Sequence, residues 1–249
     1  MKANTRLTKM FIGAMVLAAT AGTPYAGLRS HTPHPSYALA VLALAAVTSR
    51  MKIKLPGIDG NMSVNLPFLL MAVVNLSAVE AVLIASVSTV VQCWPKFGSK
   101  FKPEQMLFNV SMMAFATSMA NLIWNAGWLG KAVWASEPLM LASATAAFFL
   151  GQTAPVAGII KLAEGAALRR VWLGIVQLSF PYFVLSAGLT SMTNLVSHRF
   201  GWPAALLAFA VMFGIRHSYR LYFGRAAEAQ PIAPIAHIAP RARAARAGA

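Results

Sequence analysis

The feature that most limits what this chain can become is a succession of apolar stretches, nearly free of acidic residues and separated by short clusters of Lys, Arg, Pro and Gly. They fall at Leu7–Gly22, Ser36–Ser49, Met62–Asn75, Ala78–Trp94, Gln105–Ala126, Pro138–Ile160, Val171–Asn194 and Pro203–Arg220. A helix climbs about 1.5 Å per residue and the hydrocarbon layer of a bilayer is about 30 Å thick, so the four later stretches are long enough to cross it. The four earlier ones are short. With 58% hydrophobic and 11% charged residues in 249, an ordinary soluble domain is excluded. The expected fold class is all-α, a polytopic membrane helical bundle of about seven or eight membrane segments.

The positive charges give an independent criterion, because cytoplasmic loops of membrane proteins collect Lys and Arg. The chain carries 21 of these against 6 Asp and Glu, a net charge of +15. With the N-terminus inside, 18 of the 21 fall on the inner side, in groups at 2–9, 50–54, 96–102, 161–170 and 216–246. Only Arg29, Lys131 and Arg199 fall outside. On so apolar a chain this excess implies contact with anionic membrane lipid and not with nucleic acid. The expected location is the bacterial cytoplasmic membrane with the C-terminus inside. Residues 1–224 form the embedded domain, and 225–249, rich in Ala, Pro and Arg, read as a disordered basic cytoplasmic tail. The single Cys93 rules out an internal disulfide.

Two local patterns admit alternatives. The start, with a basic end, a short apolar core and Ala19-Thr20-Ala21, suits either a signal peptide or an uncleaved first helix. Within 62–94, Asn65 and Pro67 delay a regular helix until Asn65 or Leu66, and Asn75-Leu76-Ser77 interrupts it about ten residues later. Either a re-entrant half-helix or a tightly turned hairpin satisfies this pattern.

The run from Leu55 to Pro67 holds most of the candidate site. Gly57 and Gly60 permit turns, Asp59 can cap an amide, and Asn61, Ser63 and Asn65 carry hydrogen-bonding groups into an apolar segment. Non-helical backbone at membrane depth must be buried in protein or line a polar cavity. Asp59, Asn61, Ser63, Asn65, Asn75 and Glu80 are therefore the candidate ligand-binding residues, beside the structural alternative of a capped loop. Gln92, Asn109, Asn121, Asn125, Gln152, Gln177 and Asn194 suit hydrogen bonds between helices. Catalytic signals are missing: there is no HExxH, GxSxG or Walker pattern. His31 and His34 lie in a Pro-rich loop without a third ligand. No enzyme, metal or cofactor is expected.

The stretch RMKIKLPGIDGNMSVNLPFLLMAVVNLSAVEAVLIASVSTVVQCW, with Leu162-Ala-Glu-Gly165, Leu168-Arg-Arg-Val-Trp172 and Phe180-Pro-Tyr-Phe183, resembles membrane input regions that precede GGDEF or HD-GYP domains in bacterial signalling proteins. The chain holds neither output motif, so the resemblance implies a sensory or small-ligand-binding module that signals through a cytoplasmic or membrane partner. More distantly, the loop and short paired helices are similar to substrate-binding S components of vitamin transporters. That similarity implies the alternative, a binding component of a small-molecule transporter.

The charge distribution makes the sidedness testable. In a Cys93→Ser background, a cysteine at Lys52 or Lys102 should react with an impermeant maleimide only after the cells are opened. One at Arg199 should react in intact spheroplasts; the opposite pattern refutes the orientation.

Overall fold

A computed structural model describes residues 5–27, 35–54, 61–95, 101–126, 136–200, 203, 206–214, 217, 218 and 221. Among the described residues there are eight helices: α1 (Thr5–Gly27), α2 (Pro35–Ser49), α3 (Leu66–Asn75), α4 (Ala78–Cys93), α5 (Pro103–Trp124), α6 (Glu137–Glu164), α7 (Leu168–Phe200) and α8 (residues 206–214). Prolines stand at the first or second position of α3, α5 and α6, where a missing N–H costs nothing. The α6–α7 turn is set by Gly165, at φ 71°, whose N–H donates to the Lys161 carbonyl at 2.9 Å. A side chain there would strain the left-handed backbone.

Among the described residues, three helices are long and apolar enough to cross a membrane: α5, α6, and α7 over Leu168–Ser197. Helices α2, α3 and α4 are apolar but shorter. The all-helical expectation holds with one addition that the sequence did not announce. Strands β1 (Lys52–Lys54) and β2 (Asn61–Ser63) form a small antiparallel ladder in the register Lys52↔Ser63, Ile53↔Met62, Lys54↔Asn61. Three-residue strands are too short to show a period, yet their pairing satisfies backbone groups beside an apolar bundle.

Numbered contacts give the helix directions. Lys9 pairs with Glu104 at 3.3 Å, Phe11 packs on Phe108, and Gly22 faces Ser118, so α1 and α5 run parallel. The Arg50 guanidinium, just past α2, donates to the Val91 and Trp94 carbonyls at 3.1 and 3.0 Å, covering the C-terminus of α4. Lys9, Arg50, Trp94 and Glu104 thus share one end of the bundle with the ladder, called here the ladder end. The Leu76-Ser77 turn between α3 and α4 marks the other. There Asn75 donates to the Tyr37 hydroxyl near the start of α2, and Asn121, close to the end of α5, donates to the Val73 carbonyl.

Helix α3 occupies the centre. Leu66 through Val73 are all buried, as a sequence with no polar face requires, and α2, α4, α5 and α7 surround it. Lipid gives no hydrophobic drive between helices, so close packing must hold them together. The α5–α6 contact illustrates this: a Cβ added at Gly151 would lie 3.0 Å from Ala116 Cα. Several buried hydroxyls meanwhile bond back to their own helices, as Thr117 does to Met113 and Ser186 to Tyr182, while those of Thr145 and Ser197 have no partner among the described residues. Gly151→Leu should therefore destabilise the detergent-solubilised protein by about 1–3 kcal/mol. Gly174→Ala, where nothing lies within 4 Å, should leave the thermal unfolding midpoint unchanged or slightly raised.

Candidate functional site

The candidate residues separate along α3. Ser63 and Asn65 stand at its N-terminal, ladder-end entrance, and Asn75 and Glu80 at the turn end, about 15 Å away along a ten-residue helix. Asp59 lies outside the described residues. Asn61 is placed at the start of β2, paired with Lys54.

At the entrance, Asn65 precedes Leu66 and Pro67 with its own backbone already helical, at φ −94° and ψ −7°. Its carbonyl accepts from the Phe68 and Leu69 N–H groups at 3.1 and 3.2 Å, but its side chain does not cap the helix. Only 3% of Asn65 is exposed. The Ser63 hydroxyl lies 2.8 Å from Asn65 Oδ1 and 3.1 Å from Gln92 Oε1, and its single proton can serve only one of them at a time. Asn65 Nδ2 is buried with no hydrogen-bond partner among the described residues. Exchanging the amide's oxygen and nitrogen would transfer the deficit to Oδ1 without removing it.

Helix α7 closes this entrance. The buried Tyr182 hydroxyl donates to the Ser63 carbonyl at 3.1 Å and accepts from the Leu66 N–H at 3.2 Å, bridging both sides of Asn65. Without it the first N–H of α3 would lack a partner in an apolar environment. The arrangement is neutral and polar, formed by a hydroxyl, two primary amides and a phenol. It can exchange hydrogen bonds with an uncharged group, and it offers neither a nucleophile with a base nor a set of metal ligands. Among the described residues, no group of three or more His, Cys, Asp or Glu gathers anywhere. His31 and His34 lie outside those residues.

At the turn end, Asn75 Nδ2 donates to the Tyr37 hydroxyl and to the Met71 carbonyl, both at 3.2 Å. Glu80 closes a capping box: its Oε2 accepts from the Ser77 N–H and hydroxyl at 3.0 and 2.7 Å, and its N–H donates to Ser77 Oγ at 3.3 Å. The carboxylate thereby stabilises the N-terminus of α4 immediately after the chain break. Asn121 bonds to α3 and so joins two helices as expected, whereas Asn125 bonds to the Asn121 carbonyl and side-chain oxygen at the end of α5 itself. Asn109 likewise donates to Cys93 Sγ at 3.3 Å, and Asn194 to Glu137.

Sequence inspection did not single out Tyr182 or Gln92 as parts of the entrance. Tyr182 was visible only as the neighbour of Pro181 and Gln92 only as one polar residue among several in helices. Their partners lie 119 and 29 residues away in the chain, beyond any local pattern. Removing the Ser77 hydroxyl should show the structural role of the other end. Ser77→Ala is expected to lower stability by about 0.5–2 kcal/mol, read from thermal or SDS unfolding.

No curated protein and no solved structure matches the chain. One family model does, MASE9, over residues 37–222, which takes in every element from the body of α2 through α8 and leaves α1 before it. MASE9 is a family of bacterial membrane sensor domains typically fused to GGDEF or HD-GYP signalling domains, as the residues around the α3 entrance and the α6–α7 turn suggested. With about three quarters of its length inside that match, the multi-pass bundle is a sensory module, and the chain belongs to the MASE9 family.

Proposed function

We propose that this module senses a small, uncharged polar ligand at the α3 entrance and passes the occupied state to a GGDEF or HD-GYP signalling partner, fused or separate. The observation that supports this most directly is the buried Asn65 amide with an unpaired N–H, beside Ser63 and Gln92, where the helix breaks. An unpaired buried donor costs about 1–3 kcal/mol, and a ligand that accepts from it recovers that energy. Asp59 and Asn61, assigned from the sequence to the same candidate set, belong to this proposed site. Asn75 and Glu80, assigned to the same candidate set, form a second polar group at the turn end. Membership in a sensor family favours this function over the transporter component.

The finer topology belongs to the same proposal. Seven or eight segments lie in the membrane, with α3 and α4 as a tightly turned hairpin whose ends both face the ladder end. The bonds from Asn75 to Tyr37 and from Asn121 to Val73 support a hairpin that reaches the far end of α2 and α5. The ladder end, holding Lys9, Arg50, Lys52 and Lys102, would face the cytoplasm and anionic lipid, with both termini and the 225–249 tail on that side.

Purification into lipid nanodiscs followed by mass spectrometry of retained small molecules tests the site. Wild-type protein should retain a ligand that Asn65→Ala reduces at least about fivefold, the loss corresponding to one buried hydrogen bond. Glu80→Gln should retain it. Equal retention by Asn65→Ala and wild type would sink the entrance as the binding site, and selective loss with Glu80→Gln would move it to the turn end.

A further inference from the structure

Helix α7 is held differently on the two sides of Pro181. Before the proline its recorded side-chain contacts go to α6: Trp172 Nε1 donates to Thr153 Oγ1 at 3.3 Å, and Phe180 packs edge-on against Phe149 with ring centroids 6.2 Å apart. After it, α7 still meets α6 through Phe183 and through Asn194, which donates to Glu137, and two hydroxyls additionally fasten it to the start of α3. Tyr182 spans Ser63 and Leu66, and Thr190 Oγ1, which also bonds back to Ser186, donates to the Pro67 carbonyl at 3.2 Å. Tyr182 and Thr190 are eight residues apart, about 12 Å, so together they fix both the position and the direction of this half of the helix.

Pro181 makes the join between the halves compliant. It has no N–H, so the carbonyl four residues earlier, of Gln177, loses its helical donor, and the ring crowds that carbonyl. Kinks in long helices concentrate at such sites. The first half of α7 is thus held by α6, and the second half by the α3 entrance as well as by α6, through Phe183 beside the proline and Asn194 near the far end, with the weakest backbone link between the halves.

We infer that Pro181 is a hinge and that the Tyr182 and Thr190 hydroxyls form the latch that sets its angle from the position of the β2–α3 junction. A shift of Ser63 or Leu66 changes the Tyr182 bonds and swings the second half of α7, which continues towards α8. Phe183, packed on Phe149 at 4.8 Å, remains the pivot against α6. Tyr182 acts as a positioning residue and needs no contact with the ligand. What trips the latch rests on the proposed entrance site, whereas the latch itself does not.

The test uses the full chain in lipid nanodiscs with Cys93→Ser, carrying a spin label at the exposed position Met192→Cys paired in turn with Leu83→Cys on α4 and Leu139→Cys on α6, so that the measured separations run between helices and not along α7. Residue 192 lies about 15 Å beyond Tyr182, so a kink change of about 20° moves that label sideways by about 5 Å, and at least one of the two separations changes by a few ångström, well resolved by pulsed dipolar spectroscopy. The conservative variants Tyr182→Phe and Thr190→Val should each shift or split the distance distribution by that order. Thr193→Val, which removes a hydroxyl bonded only to the Leu189 carbonyl of α7 itself, should not. Distributions for Tyr182→Phe and Thr190→Val that match the Thr193→Val control overturn the hinge. Asn65→Ala separates the two claims: the same displaced population supports both, while no displacement alongside a shifted Tyr182→Phe supports the latch and removes Asn65 as its input.

Discussion

A short helix enclosed by protein, with broken backbone at each end, is the constraint on which the rest of this bundle depends. In water, the ends of α3 would be satisfied by solvent. Inside an apolar bundle each N–H and C=O there needs a protein partner, because an unpaired one costs several kcal/mol. The molecule supplies those partners from distant parts of the chain: the Tyr182 phenol at the entrance, Asn121 beside Val73, and the Ser77–Glu80 capping box just after the turn. The break could not exist without the surrounding helices, and it also brings polar groups into the centre of an otherwise apolar protein.

The same economy governs the packing around it. Helices cannot be driven together by apolar burial in lipid, so they approach through small residues, as at Gly151 and Ala116, or exchange hydrogen bonds between side chains. Nearly every hydroxyl named above is satisfied within its own helix or across to a neighbour. Among the described residues three buried polar side-chain atoms lack a partner, the Thr145 and Ser197 hydroxyls and the Asn65 amide nitrogen, and the amide is the one beside a helix break and other polar groups; each such atom is an energetic deficit that selection for stability alone has no reason to keep. A sensor, by contrast, needs a state whose energy changes when something binds. The entrance combines such a deficit with a direct mechanical link to α7, the longest helix of the bundle at 33 residues.

Family and fold converge on one division of labour. MASE9 membership covers the helices that enclose α3, and their contacts hold the entrance at the ladder end, where Arg50 also closes α4. A change at the entrance therefore arises close to the end of the bundle that carries Lys9, Arg50 and Lys52.

Much of this was legible in the sequence because it depends on local composition. Apolar length and scarcity of charge determined a multi-pass helical bundle; Pro67 and Asn75 determined a helix from Leu66 to Asn75; and the motifs around 50–94 and 162–183 determined the signalling family. The β1–β2 ladder was not legible, since three residues carry no period. Nor was the division of Ser63 and Asn65 from Asn75 and Glu80: polar residues spaced along a chain look like one cluster until the rise of the helix between them separates them by about 15 Å. Which hydroxyl meets which carbonyl was decided only by tertiary structure, because Tyr182 and Ser63 are adjacent through the crossing of α7 and α3 and not through any pattern within either segment.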